Sequence, residues 1–114
     1  MDNIIERFKQ QLIVDGNRRN FNIANYFKKV DSNTYSYYME FNHSNYFTET
    51  TFKVNGDRVI VHYTCDYFCV NYPELCKNGI IDQTMEFEIG EVDKFIDWYN
   101  SVAKTVYNPF SKHY

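Results

Sequence analysis

The chain has 114 residues, of which 44% are hydrophobic and 24% charged, and its formal net charge is −3. This length is typical of one domain, and the composition predicts a globular fold rather than a disordered chain. No apolar run approaches the ~18 residues of a membrane helix, no secretory signal is visible, and the chain lacks the basic charge of a nucleic-acid-binding domain. We therefore expect one soluble domain, residues 1–114, in the cytoplasm and without membrane contact.

The first predicted element is a helix that begins after Asn3. Asn3 and Glu6 have the spacing of a capping box, and Gly16 is expected to end the helix. The apolar face of this helix consists of Ile4, Ile5, Phe8 and Leu12. The next segment, residues 21–30, is ambiguous because its apolar spacing fits a helix while the turn residues after it favour a strand. We prefer the strand.

Four later segments alternate between apolar and polar residues: 34–42, 46–54, 57–64 and 80–89. Such alternation predicts antiparallel strands with one packed face and one hydrated face. Asn55-Gly56 predicts a type I′ hairpin turn between the second and third of these strands. The connection over residues 65–78 contains Pro73, and we expect one helical turn there.

The last element is an amphipathic helix over residues 91–107. Its apolar positions recur with helical spacing, Gly90 is expected to begin it, and Pro109 ends it. The fold class is therefore α+β: a single domain with an antiparallel sheet of four or five strands, on which an N-terminal and a C-terminal helix pack. This order resembles the topology of double-stranded-RNA-binding domains. Those domains carry lysines where this chain has Glu91 and Asp93, which argues against direct nucleic-acid binding.

Four side chains could in principle hold zinc: His62, Cys65, Cys69 and Cys76. Only the spacing of Cys65 and Cys69 suits a zinc knuckle, and His62 and Cys65 should face opposite sides of a strand. We therefore expect reduced thiols, no metal and no cofactor. There is no Gly-x-Ser-x-Gly motif and no glycine-rich phosphate loop, so we expect no catalytic residues and no enzymatic activity.

Acidic residues are concentrated in segment 82–97, where six carboxylates stand against one basic residue, Lys94. A solvated strand face and the usual preference of carboxylates for helix N-termini are the simpler explanation of this concentration. The sharper interpretation is an acidic surface that binds a basic partner. Its candidate partner-binding residues are Asp82, Glu86, Glu88, Glu91, Asp93, Asp97 and Trp98.

We expect a non-enzymatic protein-binding module. In its small size, A/T-biased composition, acidic clustering and lack of catalytic motifs, the chain resembles small inhibitors of host defence nucleases encoded by phages or mobile elements, including anti-CRISPR proteins. That resemblance implies nucleic-acid mimicry, in which the acidic face blocks a basic nucleic-acid-binding groove of a host protein.

Two other functions are open. One is a small ligand-binding or catalytic domain with an aromatic pocket on the sheet, lined by Tyr35, Tyr37, Tyr38 and Tyr63. The other is a homodimeric structural accessory protein that uses an uncovered sheet edge. The salt dependence of binding would distinguish these two functions from the acidic protein-binding module, because only a complex driven by charge should weaken steeply with ionic strength.

Overall fold

The computed structural model describes residues 3–41, 46–66, 72–103 and 108–110. Two α-helices are found there, α1 (Ile4–Arg19) and α2 (Val92–Val102), together with short 3₁₀ turns at Ile23–Tyr26 and Pro73–Leu75. The strands are β1 (Phe27–Lys29), β2 (Thr34–Phe41), β3 (Tyr46–Asn55), β4 (Arg58–Cys65), β5 (Cys76–Lys77) and β6 (Ile80–Glu88).

The strands form one antiparallel sheet in the order β1-β2-β3-β4-β6-β5. Both helices pack on it, which confirms the predicted α+β fold. The sheet has six strands rather than four or five, because β1 adds three residues at one edge and β5 adds two at the other. The ambiguous segment 21–30 holds a 3₁₀ turn followed by β1, so the preference for a strand is right only for its second half.

Helix α1 begins as expected and ends later than expected. The Asn3 Oδ1 atom accepts a hydrogen bond of 2.9 Å from the backbone N–H of Glu6. Gly16 does not end the helix, which continues to Arg19 and is capped by Asn20 in the left-handed conformation, φ 57°. Gly16 instead allows the returning chain to approach closely, since a Cβ atom there would lie 2.6 Å from the carbonyl oxygen of Phe21.

The hairpin between β3 and β4 exists, and its turn lies one residue beyond the predicted position. Asn55 pairs with Arg58, so the turn consists of Gly56 and Asp57. Only Gly56 has a positive φ, 64°, which is typical of type II′ with glycine first. The hairpin of β5 and β6 has positive φ at both turn residues, Asn78 and Gly79, as type I′ requires.

Helix α2 is shorter than its apolar pattern predicts. It begins at Val92, with Glu91 rather than Gly90 in the capping position, and its last helical residue is Val102. Residues 104–107, to which the pattern extended the helix, lie outside the described residues.

The core is built largely from aromatic rings between the sheet and the helices. Phe8 of α1 lies at its centre and is fully buried. Its ring contacts six others at centroid distances of 5.0–6.2 Å, those of Phe27, Tyr37, Phe52, Phe95, Tyr99 and Phe110. Edge-to-face and tilted contacts of this kind add to the stability gained by burying the ring area. Much of the aromatic content of the sequence is therefore used for packing.

Candidate functional site: the open face of the sheet

The two helices of the described chain pack on the same face of the sheet. Phe52 of β3 contacts both Phe8 of α1 and Phe95 of α2, and Phe87 of β6 contacts Phe95. Because side chains alternate along a strand, the neighbours of these residues project from the opposite side. Within the described part of the chain no helix lies over that side, which we call the open face.

Carboxylates from three strands share the open face. They are Glu40 of β2, Glu49 of β3, and Asp82, Glu86 and Glu88 of β6, and we call them the acidic band. The strand register explains how they come together. Glu49 lies opposite Thr64, which lies opposite Asp82 on its other side, so one row across the sheet contains both carboxylates. These residues are far apart in sequence and become neighbours only through strand pairing.

At the β6 end of the acidic band, two carboxylates share one cation. The Arg58 Nε atom donates a 2.8 Å hydrogen bond to the Oε2 atom of Glu86, and its Nη1 atom lies 3.7 Å from Oε1 of Glu88. The hydrogen bond to Glu86 is the main reason that the pKa of Arg58 is raised. All three side chains are largely exposed. Two carboxylates thus share one guanidinium, and the exposed Lys53 of β3 lies on the same face in the row of Glu86, two strands away.

Asp82 forms a pair with His62 in the middle of the open face. Its Oδ1 atom lies 2.6 Å from Nε2 of His62, and both side chains are partly exposed. His62 and Cys65 lie on opposite faces of β4, as expected, because Cys65 is buried in the core. The described residues contain no group of three His, Cys, Asp or Glu side chains that could hold a metal ion.

An aromatic pair lies at the other end of the acidic band. The rings of Tyr38 and Phe47 stack at 5.7 Å, with 26° between their planes. The Tyr38 hydroxyl donates a 2.7 Å hydrogen bond to Glu40, and this bond, with the nearby charges of Glu49 and Asp66, raises the pKa of Tyr38. The Tyr38 residue is 40% exposed, a large accessible fraction for a ring within a sheet.

This pair and the two carboxylates beside it were not predicted from the sequence as one cluster. Alternation alone places Tyr38 and Glu40 on one face of β2 and Phe47 and Glu49 on one face of β3. That signal was available. The register that joins the two strands was needed to show that the four residues form a single cluster.

The predicted acidic surface is divided between two sides of the molecule. Asp82, Glu86 and Glu88 lie on the open face, whereas Asp93 and Asp97 are exposed on α2, which covers the opposite face. The sheet and the helix layer therefore separate the two groups.

The remaining two predicted residues, Glu91 and Trp98, have contacts within the fold. Glu91 accepts a 2.8 Å hydrogen bond from the backbone N–H of Glu88 and forms a 2.7 Å ion pair with Lys94. The contact with Lys94 is the main cause of the lowered pKa of Glu91, and the hydrogen bond from Glu88 is the next. The Trp98 ring is half-buried and packs edge-on against Phe87, with centroids 5.8 Å apart. Both residues support the junction of β6 and α2.

The expected aromatic pocket on the sheet is not formed. Tyr37 and Tyr63 are fully buried in the core, and burial raises the pKa of Tyr63 well above its ordinary value. Tyr35 is half-buried on the covered face, where it stacks on Phe27, while Tyr38 points to the open face. The four tyrosines thus do not line one surface. Tyr38 lies on the opposite side of the sheet because neighbouring strand positions alternate between faces, and strand pairing places Tyr63 in the core.

A cleft of about 370 Å³ lies elsewhere, between the last turns of α1 and the segment that follows it. Its lining includes Leu12, Asn17, Asn20 and Phe21. It is distant in sequence from every predicted site residue, and it lies next to the chain reversal that Gly16 permits.

The expectation of three reduced cysteines is wrong for Cys76, which is disulfide-bonded. Cys65 is a thiol outside any disulfide and is fully buried in the core. Three cysteines are compatible with one disulfide and one remaining thiol, so their odd number did not exclude a disulfide.

No known protein-family model matches the chain, and no match was found to a curated protein or to a solved structure. In the described part of the chain, none of the helices combines the length and the apolar character needed to cross a bilayer.

Proposed function

We propose that this chain is a non-enzymatic protein-binding module whose open face docks on a basic surface of another protein. The partner belongs to the nucleic-acid-binding proteins of a host cell, and a defence nuclease is the kind we favour. In this proposal the chain is an anti-CRISPR-like inhibitor encoded by a phage or mobile element. It does not bind nucleic acid itself.

The observation that carries the proposal is the acidic band on an uncovered sheet face. A face left open by both helices is available to a partner, and it combines carboxylates with the exposed Tyr38 ring. Interfaces often pair an aromatic anchor with a complementary charged surround. The band comes from paired strands rather than from loops, so its carboxylates are held at fixed spacing.

The mechanism is competition for basic side chains. Grooves that bind nucleic acid use lysine and arginine to neutralise phosphates. Carboxylates fixed on a sheet can pair with the same side chains and exclude the phosphates. Arg58 and His62 would help by orienting Glu86 and Asp82, because each already holds its carboxylate in one position. Long-range attraction between the two surfaces should also speed their encounter.

The location proposed with this function is the host cytoplasm. The disulfide at Cys76 weighs against it, because thiols are usually kept reduced there. Alkylation of free thiols in freshly lysed host cells, read by mass spectrometry, tests the point. Cytoplasmic residence predicts that Cys76 is alkylated without prior reduction.

The proposed function is tested by capture and competition. Tagged wild-type chain should retain a basic partner from host extract, and the partner should elute as salt is raised. The purified partner should then lose its nucleic-acid binding as the chain is added. If nucleic acid and the chain bind the partner together, without competition, the proposal is wrong.

A further inference from the structure

The outer edge of β6 carries unpaired backbone groups. Its short neighbour β5 pairs only with Ile80 and Ile81. Further along, both backbone groups of Glu88 turn to that edge: its N–H donates to the Glu91 side chain, and its C=O accepts from the Glu91 N–H at 2.9 Å. Backbone groups alternate in direction along an antiparallel strand. Those of Asp82, Thr84 and Glu86 therefore point to the same edge as those of Glu88. The Asp82 N–H is already used there, because the pairing of Cys76 with Ile81 brings it to the Leu75 C=O, whereas no described strand pairs with Thr84 or Glu86.

No strand of the described chain covers this part of β6. Thr84, Met85 and Glu86 are all exposed, and Met85 remains 44% exposed although it lies on the same side of the sheet as the core residue Phe87. Natural proteins usually protect such an edge, because unpaired N–H and C=O groups can accept a further strand. Here the edge adjoins three carboxylates of the acidic band.

We propose that an extended basic segment of the partner adds to β6 as an antiparallel strand, a mode of binding that rests on the proposed function. Hydrogen bonds to Thr84 and Glu86 would hold its backbone. Antiparallel addition continues the pattern of the sheet, in which all paired neighbours are antiparallel.

The side chains at this edge define the segment that fits. The residue opposite Glu86 lies on the open face, where lysine or arginine would meet the carboxylates of Glu86 and Glu88. The residue opposite Met85 lies on the other side and should be apolar, so that it covers the exposed part of Met85. The segment therefore has a basic residue opposite Glu86, followed by an apolar residue opposite Met85.

A second copy of this chain fits the edge less well. If two β6 strands paired antiparallel about Thr84, Asp82 of each copy would lie opposite Glu86 of the other. Like charges directly opposite one another in a sheet are destabilising. The charge of the edge thus favours a basic partner segment over self-association.

The test uses a capped peptide with the central sequence Val-Lys-Val-Thr, whose lysine and threonine would lie opposite Glu86 and Thr84, and its binding is measured by fluorescence anisotropy at constant salt. One derivative carries N-methyl groups on the amides of the lysine and the threonine, which face β6 in antiparallel pairing. The matched derivative carries them on the two valines, whose amides face solvent. We expect the first to bind at least about tenfold more weakly than the parent, because two hydrogen bonds are lost, and the second to bind nearly as well as the parent.

Equal affinity of the two derivatives, greater loss in the valine set, or failure of the parent peptide to bind would each overturn strand addition. The variant Thr84→Pro gives an independent test, since proline removes an N–H group that points away from β4 and is tolerated at sheet edges. The Thr84→Pro variant should no longer bind the parent peptide, while its circular dichroism spectrum stays that of the wild type. If the variant unfolds, the comparison of the two N-methylated derivatives still tests strand addition.

The charge variant Glu86→Gln separates this inference from the proposed function. If it weakens binding of the peptide while both methylated derivatives bind equally, charge recognition stands and strand addition fails. A dimer that forms in sedimentation experiments and is lost in Thr84→Pro would show that a second copy occupies the edge, which also contradicts the inference.

Discussion

The two faces of the sheet are made by the same strands and have opposite surroundings. On the covered face Tyr37, Phe52 and Tyr63 have no exposed surface. On the open face Tyr38 and Ile60 are each 40% exposed, and charged groups lie between them and around them. An aromatic residue therefore stabilises the fold when it lies on one face and is available for contact when it lies on the other.

This difference shows which side chains folding requires and which it does not. The covered face satisfies the need to bury apolar area, the dominant favourable term in folding. Tyr38, Glu86 and Glu88 on the open face contribute little to folding stability. Tyr38 stays partly exposed, and exposed ion pairs typically contribute under ~1 kcal/mol. Substitutions on the covered face should change stability, and those on the open face should change binding.

The largest expected effect is from Phe8→Ala on the covered face. It removes the ring at the centre of the core, and such substitutions cost about 3–5 kcal/mol of unfolding free energy. Tyr38→Ala removes one stacked ring from the open face and should cost less than about 1.5 kcal/mol. Urea unfolding measures both. Similar losses in the two variants would remove the distinction between the faces.

The turn between β3 and β4 gives the next effect. Gly56→Val should lower the unfolding free energy by roughly 1–2 kcal/mol, because a β-branched side chain is strained at positive φ. Gly90→Ala is the matched control, since no positive φ is found at Gly90 and an added Cβ would meet no atom within 4 Å. Thermal unfolding of both variants is the measurement. An unchanged melting temperature for Gly56→Val would contradict the turn geometry.

A smaller, pH-dependent effect is expected at Glu91, where the open face meets α2. Its pKa is lowered from 4.5, mainly by Lys94 and then by the Glu88 N–H, so its ionised form stabilises the fold. This contribution is present above the unfolded pKa and is lost as pH falls through the lowered, folded pKa. Glu91→Gln should therefore lower the melting temperature at neutral pH, and the gap to wild type should close in acid.

Asp93→Asn controls for loss of a carboxylate from the first turn of the same helix. In the described residues no ion pair to Asp93 is found. The difference in melting temperature between Asp93→Asn and wild type should therefore not change with pH in the way expected for Glu91→Gln. A gap for Glu91→Gln that stays constant with pH would show that its charge does not support the junction.

The smallest effect is expected where the two acids of α2 are removed together. Asp93 and Asp97 are one helical turn apart, and like charges at this spacing repel by about 0.2–0.5 kcal/mol. Asp93 also lies in the first turn of α2, where a carboxylate interacts favourably with the helix N-terminus, so loss of this interaction offsets the relief of repulsion. The double variant Asp93→Asn, Asp97→Asn should therefore unfold at nearly the wild-type temperature, as calorimetry would show. A marked loss of stability would mean that the helix acids are structural.

The elements of the fold could be predicted because their patterns are local. Alternation identified β2, β3, β4 and β6, and the apolar face of Ile4, Phe8 and Leu12 identified α1. The end of α1 was misplaced because Gly16 is required by contact with Phe21, which is a tertiary effect. The short strand β5 was missed because two residues are too few for alternation to be visible, and β1 was located only within the longer segment 21–30.

The candidate site was only half predictable. Sequence proximity grouped Glu88 with Asp93, although β6 and α2 carry them to different sides of the molecule. The same reliance on proximity missed Glu40 and Glu49, which join Asp82 only through strand register. A charge run along the chain shows which residues are acidic, and strand pairing decides which of them share a surface.

The central claim, that the open face binds the basic partner, is tested most directly by two matched double variants. One is Glu86→Gln, Glu88→Gln on the open face; the other is Asp93→Asn, Asp97→Asn on α2. Each removes two exposed carboxylates, so both change net charge equally. Affinity for the captured partner is measured by calorimetry at one salt concentration. The open-face variant should lose about 2–5 kcal/mol of binding free energy, as expected for desolvated charge pairs, while the helix variant binds nearly as wild type does. Equal losses, or a larger loss in the helix variant, would contradict the claim.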